Sequence, residues 1–433
     1  MANELTVWLF DDPVGTLSLA SGRLGFHYLP DWLNQPHAKA LSQSLPLQSA
    51  GFDDHRCRPF FAGLLPEGHL RALIAKQYQI SEKNDFALIN AIGGECAGAI
   101  TFLPSGESPQ IGSRNNIEWL DDHQLIDLLK ELPRKPMLAG RDGIRLSLAG
   151  AQDKLPVVFD GFRIGLPKDN QPSTHVLKPP IESVESSVIN EAFCLRLAKM
   201  MLMDAASATI CQAGNQSVLL VARYDRKTSG LEQYQRIHQE DFCQALGITP
   251  EMKYQNEGGP DLKTCFNLIR KATRPSATQI PKLLNAVVFN ALIGNHDAHA
   301  KNFSLLYSAS GNGEAPTLAP LYDLFSTAVY ENLTSKMAMK LGGKYQFSEV
   351  QARHWESFAK DAGLPLALTK KRVLQIATEL PNAAKRLQTA PEFDGQLTIK
   401  KIVNLIDERS ALTIKRLTHS ESTSVKPERF SLS

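Results

Sequence analysis

Nothing in this 433-residue sequence offers a disulfide framework or a thiolate metal knuckle. Its six cysteines, Cys57, Cys96, Cys194, Cys211, Cys243 and Cys265, are scattered with no C-x-x-C pair. Isolated cysteines of this kind fit a reducing cytoplasm. An excess of one charge is missing too, since 47 lysines and arginines face 45 acids and leave a formal net charge of +2. No global positive field marks a nucleic-acid binder, so any DNA contact needs a local patch. Long apolar runs are absent. The longest, LLNAVVFNALIG at 283–294, carries two asparagines and falls well short of the roughly 20 residues of a membrane span. The opening MANELTVWLFDD has neither the basic n-region nor the long apolar core of a secretory signal. There is no internal repeat and no low-complexity tract. These absences lead to the expectation of a soluble, cytoplasmic protein without membrane contact.

What is present is the balance of an ordinary globular protein, 43% hydrophobic and 21% charged. At roughly 100–200 residues per domain the length suggests two or three domains. LTVWLF, GTLSLA and LGFHYL alternate like strands around turn formers. Within PFFAGLLPEGHLRALIA, at 59–75, the pattern turns helical after Pro66; NDFALINAIGG follows as a helix with Asn84 as N-cap, and GAITFLP closes as a strand. The turn-rich PSGESPQIGSRNN at 104–116 marks a boundary. IEWLDDHQLIDLLKEL reads as a helix, and KLPVVFDGFRIGLP as a hairpin turning on two residues, Asp160-Gly161. THVLKPP is a strand, the stretch from Ser183 to about Met203 is helical, and SVLLVARYDR is strand-like again. Helices dominate from about residue 238. The last fifteen residues, HSESTSVKPERFSLS, have too little apolar content to fold alone and read as a mobile tail.

The chemistry concentrates between Leu283 and Phe325. A buried helix, with Leu283, Leu284, Val287, Val288, Ala291 and Leu292 at helical spacing, ends at Gly294 and is followed at once by NHDAHAKNFSLL. Asp297 and Asn302 stand five apart in a loop before the strand FSLLY. A turn through SASGNGEA leads to LAPLYDL, where Asp323 should end a second strand. A hairpin of these two strands brings Asp297, Asn302 and Asp323 to one edge. Phosphoryl transfer needs this kit: one carboxylate to orient the attacking hydroxyl and take its proton, and a carboxamide plus a second carboxylate for magnesium. Upstream, Lys178 in THVLKPP can reach phosphates as a point charge, and Glu191 on the next helix can pair with it. The small-residue loop SLAGAQDK, 147–154, can cradle phosphates with its backbone N–H groups, and the backbone at Ala222–Tyr224 can serve as an adenine hinge. Singly, each has a plain structural explanation: a solvated lysine, a surface glutamate, an ordinary turn, or Asp323 capping a helix that LFSTAVY begins. Their order along the chain is what joins them.

At these residues the sequence resembles the HipA-type serine/threonine kinase toxins of bacterial toxin–antitoxin pairs. The likeness runs through FFAGLLPEG, IGGECAGAITFLP, SLAGAQDK, HVLKPP, NEAFCLRLA, RYDR, HQEDFCQALG, GNHDAHAKNFSLL and LAPLYDLFS. It implies an α+β, protein-kinase-like two-lobed fold with a β-rich N-terminal subdomain and a mostly helical C-terminal one. The implied divisions are an N-terminal subdomain at 1–105, linker and helices at 106–140, an N-lobe-like region with phosphate loop and hinge at 141–236, a helical C-lobe at 237–418 and the tail at 419–433. Asp297 would be the catalytic base, with Asn302 and Asp323 the Mg2+ ligands. ATP would meet Ala149, Gly150, Ala151, Gln152, Asp153, Lys154 and Lys178, then Ala222, Arg223 and Tyr224. His299, Ala300, Lys301, Asn302, Tyr322, Asp323, Leu324 and Phe325 would complete its site.

Ser147 matches the serine that family members autophosphorylate to switch themselves off. The resemblance also implies an aminoacyl-tRNA synthetase as protein substrate, growth arrest with drug tolerance, and a HipB-like helix-turn-helix antitoxin. Operator DNA would be reached mainly through the antitoxin complex. Lys336, Lys340 and Lys344, read at helical spacing, form a modest basic cluster in KMAMKLGGKYQFSEVQ, the stretch nearest the DNA-contacting region of some relatives. Two rival functions remain open from the residues alone. His296-Asp297 with His299 could serve a metal-dependent phosphohydrolase, and a non-catalytic corepressor would need no chemistry at all.

Overall fold

The computed structural model describes residues 3–109, 116–228, 234–308 and 314–422. Strands β1 (Glu4–Leu9), β2 (Asp12–Ala20) and β3 (Arg23–Tyr28) form an antiparallel meander, in which Leu5, Val7 and Leu9 of β1 point inward and are fully buried. A helical turn α1 (Pro30–Leu33) and helices α2 (Asp54–Ala62), α3 (Gly68–Gln77) and α4 (Asp85–Ile92) follow. Strand β4 (Ile100–Pro104) then returns beside β1. Asn84 caps α4 as expected, accepting from the Ala87 N–H at 3.0 Å. Helix α2 escaped the sequence pattern because Pro59 lies inside it. It starts nonetheless where the Asp53 carboxylate accepts the Arg56 N–H, and it buries Phe60 and Phe61 completely.

The helical reading of IEWLDDHQLIDLLKEL needs correction. Ile117–Trp119 is strand β5, paired with β7 (Ile164–Pro167). Helix α5 (Asp122–Glu131) begins only after Asp121, whose carboxylate and the Gln124 amide close a reciprocal cap that stops the helix extending backward. The expected hairpin of β6 (Leu155–Phe159) with β7 exists, but its loop is four residues, Asp160–Arg163, rather than two. The Asp160 carboxylate accepts the N–H groups of Phe162 and Arg163 at 2.9 and 2.7 Å, which supplies the turn. Strand β8 (His175–Lys178), helix α6 (Ser187–Met200), β9 (Ala208–Ala213) and β10 (Gln216–Ala222) complete a six-stranded sheet in the order β5-β7-β6-β8-β10-β9.

A ribbon of β11 (Arg226–Thr228) and β12 (Tyr234–Arg236) leads into the helical lobe. That lobe holds β13 (Gln239–Asp241), α7 (Phe242–Leu246), α8 (Leu262–Ala272), α9 (Ser276–Ile293), β14 (Ser304–Leu306), β15 (Thr317–Leu318), α10 (Ala352–Asp361), α11 (Leu366–Gln388) and α12 (Leu397–Ser422). Strands β14 and β15 do form the hairpin inferred from sequence, although most of the turn between them, 309–313, is outside the described residues. Asp323 does not end the second strand; β15 stops at Leu318, and Asp323 sits beyond it with a left-handed φ of 49°. Only a short 3-10 turn, Thr327–Val329, follows, so Asp323 caps no α-helix. Lys336, Lys340 and Lys344 are not on a helix either. Gly342 and Gly343, both at positive φ, turn the chain between Leu341 and Lys344. The start of the expected tail is helical, since α12 continues through 419–422; the rest of it, 423–433, lies outside the described residues, as do 110–115 of the expected boundary.

Two hydrophobic cores result. One joins the N-terminal meander to the six-stranded sheet through Phe26, Phe61, Phe102, Leu155, Leu177 and Leu220; the other fills the helical lobe around Phe193, Phe266, Phe289, Ile376 and Ile402. Between the meander and the hinge lies a buried ionic cluster. The Glu95 carboxylate accepts from Arg226 and Arg236, each at 2.6 Å, from Arg223 at 3.1 Å and from the Ser173 hydroxyl at 2.9 Å. Burial works against its charge, but the three guanidiniums outweigh that and hold the carboxyl well below the usual range. Its contribution to stability is therefore complete above the ordinary glutamate range and is lost as pH falls below it. Glu95→Ala removes the acid that Arg236 pairs with and leaves Arg223 and Arg226 to share Asp225 alone. A urea melt at neutral pH should show a loss of about 3–5 kcal/mol, and an unchanged midpoint would contradict the assignment.

Candidate active site

Between the six-stranded sheet and the helical lobe lies a cavity of about 570 Å³. Its roof is the phosphate loop candidate. Gly150 takes a φ of +114°, and a Cβ there would lie 2.5 Å from the Lys154 Nζ, so the turn requires glycine. The buried Lys154 ammonium donates to the Ala149 carbonyl, which folds the loop over its own cation. Ser147, just upstream, is fully buried; its hydroxyl donates to the Leu64 carbonyl at 2.9 Å and its N–H to the Glu95 carbonyl at 2.9 Å.

Lys178 is no solvated strand-end lysine. Its strand β8 is interior to the sheet, and its side chain is 7% exposed. The ammonium donates to Glu191 Oε1 at 2.6 Å and to the Asp323 carboxylate. Burial opposes the lysine's charge, but Asp323 and Glu191 outweigh it and keep it protonated above its ordinary range. Burial equally opposes charge on Asp323, and there Lys178 and Lys154 win, holding the carboxyl down at about 2. Helix α6 keeps this pairing in register. Asn190, beside Glu191, donates to the Ser326 carbonyl at 3.0 Å and accepts the Ser326 N–H at 2.8 Å, clamping the helix to the loop that follows Asp323.

The floor is the loop after α9. Gly294, at φ +75°, ends that helix where a Cβ would come within 2.6 Å of Ala328. The Asp297 side chain emerges 53% exposed at the cavity wall. Its own carbonyl accepts from the Asn302 amide at 2.8 Å, so the D-x-x-x-x-N spacing closes on itself. The Asn295 carboxamide ties this loop to the other: it accepts the Asp297 N–H at 3.1 Å and donates to the Asp323 carbonyl at 3.3 Å. The Tyr254 hydroxyl donates to Asp297 Oδ1 at 2.6 Å while its ring meets His299 edge-on. Lys301 is buried and occupied, donating to Asp241 at 2.8 Å. Tyr322 bonds Ser304 and the Lys301 carbonyl and lies against Tyr224.

Ala149, Gly150, Ala151, Gln152, Lys154, Lys178, Ala222, Arg223, Tyr224, Asp297, His299, Lys301, Asn302, Tyr322, Asp323 and Phe325 all line this one cavity. Asp153, Ala300 and Leu324 stand off its wall; Ala300 and Leu324 are buried in the helical core. Arg223 turns its guanidinium into the Glu95–Asp225 cluster, which leaves its backbone to the cleft. Sequence reasoning missed Glu67, Tyr254 and Asn295. Asn295 was within reach, two residues before Asp297, whereas Glu67 and Tyr254 arrive only through the fold. Asn302 and Asp323 present a carboxamide and a carboxylate to the cavity, hard oxygen donors of the kind Mg2+ takes. The phosphohydrolase rival loses one of its two histidines, His296, while His299 stays at the cavity wall. His296 Nδ1 bonds the Thr334 carbonyl at 2.8 Å and its Nε2 meets Arg409 at 3.1 Å. Among the described residues no group of three His, Cys, Asp or Glu is placed to hold a metal.

A β-rich lobe over a helical lobe, with a lysine–glutamate pair facing the cleft between them, defines a kinase-like phosphotransferase. Comparison with known proteins agrees. The HipA N-terminal domain family matches residues 5–103 and the HipA-like C-terminal domain family residues 146–387. A putative kinase, Y4mE, of Sinorhizobium fredii is 43% identical over 387 residues, covering 88% of this chain and 91% of that protein. The serine/threonine-protein kinase toxin HipA of Shewanella oneidensis is 32% identical over 405 residues, 90% of either chain. A solved complex of Shewanella oneidensis HipA, HipB and operator DNA superposes with a TM-score of 0.84 at 27% identity, covering 97% of this chain and 100% of that one. The chain belongs to the HipA family of serine/threonine kinases.

Lys178→Met leaves Glu191 and Asp323 without their shared cation. We expect a loss of about 3 kcal/mol or more, together with a rise of the Asp323 carboxyl from about 2. Carboxyl-detected NMR titration against the wild type reads the second effect directly. An Asp323 carboxyl that stays low in the variant would exclude Lys178 as the cause.

Proposed function

We propose that this chain is the kinase toxin of a toxin–antitoxin pair, transferring the γ-phosphoryl group of ATP to a protein serine or threonine. The observation that carries this reading is the Lys178 ammonium shared between Glu191 and Asp323, in the same cavity that Asp297 and Asn302 enter. Asp297 orients the acceptor hydroxyl and takes its proton, with one carboxylate oxygen held by Tyr254. Lys178 and Lys154 meet phosphate oxygens, and the Ala222–Tyr224 backbone receives the adenine. Asn302 and Asp323 hold Mg2+, which neutralises phosphate charge when bound.

The protein substrate in this reading is an aminoacyl-tRNA synthetase, whose modification halts translation and leads to drug tolerance. The Shewanella oneidensis complex joins its HipA to HipB and operator DNA. By that likeness a HipB-like antitoxin binds this chain, and the pair represses its own operon, with operator DNA met mainly through the antitoxin. Ser147 is the self-modification site. A phosphate cannot occupy the buried position of its hydroxyl, so phosphorylation expels the phosphate loop and ends activity.

Intact-mass spectrometry before and after incubation of dephosphorylated chain with Mg-ATP tests this. We expect the gain of one phosphate on Ser147. Asp297→Asn should slow transfer by about 10²–10⁴-fold with ATP affinity retained, because the base acts on the nucleophile and not on the nucleotide. Asp323→Ala should weaken Mg-ATP binding instead. Equal rates in wild type and the Asp297 variant would sink the mechanism, and absence of Mg-dependent ATP binding would favour a non-catalytic corepressor.

A further inference from the structure

We infer that Glu67 is a positioning residue that couples the phosphate loop to the catalytic loop, an inference that rests on the kinase reading above. The segment Gly63–Glu67, between α2 and α3, reaches from the N-terminal meander into the cleft, where Gly63 and Glu67 line the cavity. On its upper side it holds the phosphate loop. The Leu64 carbonyl accepts the Ser147 hydroxyl, Pro66 bridges to Gly150, and the Glu67 N–H donates to the Gly150 carbonyl at 3.0 Å.

On its lower side the same segment holds Lys301 of the catalytic loop and Lys253 of the segment that braces it through Tyr254. The Lys253 ammonium donates to Glu67 Oε2 at 2.7 Å, and the Lys301 ammonium lies 3.7 Å from Oε1 and 3.3 Å from the Gly63 carbonyl. Lys253 precedes Tyr254, the hydrogen-bond donor to Asp297, and Lys301 precedes Asn302. Glu67 occupies the N-cap position of α3 but makes no side-chain cap to its own helix. Its Oε1 is buried without a hydrogen-bond partner and faces Lys301. A residue suited to stabilise α3 has its carboxylate turned away, toward the two lysines. Burial opposes charge on Glu67, while Lys301 and Lys253 outweigh it and keep it ionised.

The consequence is that the two loops share one anchor. When the phosphate loop leaves, Pro66 and Glu67 lose Gly150, and the carboxylate that orders Lys253 and Lys301 is freed with them. Conversely, loosening the carboxylate loosens both loops. Coupling through a shared element of this kind is a free-energy statement about two sites and is therefore reciprocal.

Hydrogen–deuterium exchange on the full chain, without nucleotide, tests this in wild type, Glu67→Gln, Lys253→Gln and the double variant. We expect exchange in both 147–154 and 297–302 to quicken by about tenfold in each single variant. The double variant should be no faster than the faster single one, and β1–β3 should exchange unchanged. Quickening of one loop alone, additive effects in the double variant, equal loosening of the meander, or no change would each overturn the coupling. Addition of Mg-ATP to wild type separates this from the underlying reading: failure to protect 147–154 would count against the kinase site, while the nucleotide-free comparison still decides the role of Glu67.

Discussion

One ammonium group organises the cleft. Lys178 is buried between two carboxylates that come from distant parts of the chain, Glu191 on α6 and Asp323 on the loop after β15. Two acids this close, in low dielectric, repel each other unless a cation stands between them. The lysine therefore sets where α6 lies against the sheet and where the Asp323 loop comes to rest. Asn190 then repeats the instruction one residue away, through the backbone of Ser326. The cavity is the space left when those constraints are met together.

A second ionic centre acts on a different boundary. Glu95 belongs to the N-terminal part, and Arg223, Arg226 and Arg236 flank the hinge. Glu95 also receives the Ser147 N–H on its backbone carbonyl. The N-terminal part is thus no appendage to a catalytic body. It grips the hinge from one side and the phosphate loop from the other, and so fixes the distance between the two segments proposed to hold adenine and phosphates.

Much of this was legible in the sequence, for reasons that differ by element. Helix α9 could be read because a long apolar periodicity ends at a glycine. Lys178, Glu191, Asp297, Asn302 and Asp323 were singled out because phosphoryl transfer restricts residue type and order, and the structure brings them to one cavity. Strand β5 was misread because IEW continues the apolar spacing of the helix behind it, and only the reciprocal cap at Asp121 separates them. The β6–β7 loop was misread because Asp-Gly favours a two-residue turn, whereas the Asp160 side chain closes a longer one. Glu67 and Tyr254 carry no signal of their own. A glutamate before a helix looks like a cap, and a tyrosine in a turn-rich segment looks like surface; their meaning comes from groups more than forty positions away.

The buried hydroxyl of Ser147 has a temporal consequence. A group with no exposed surface can be modified only as often as its loop opens. For the self-modification proposed above, the ceiling would be set by how frequently the Leu64, Glu95 and Gly150 contacts break, and not by the speed of the chemistry. On that proposal the loop would be a clock, with its period written in three hydrogen bonds and the Pro66–Gly150 strand bridge. On the same proposal, tightening those contacts from the Leu64 and Glu67 side would prolong the active lifetime of each molecule without altering a residue assigned to the nucleotide.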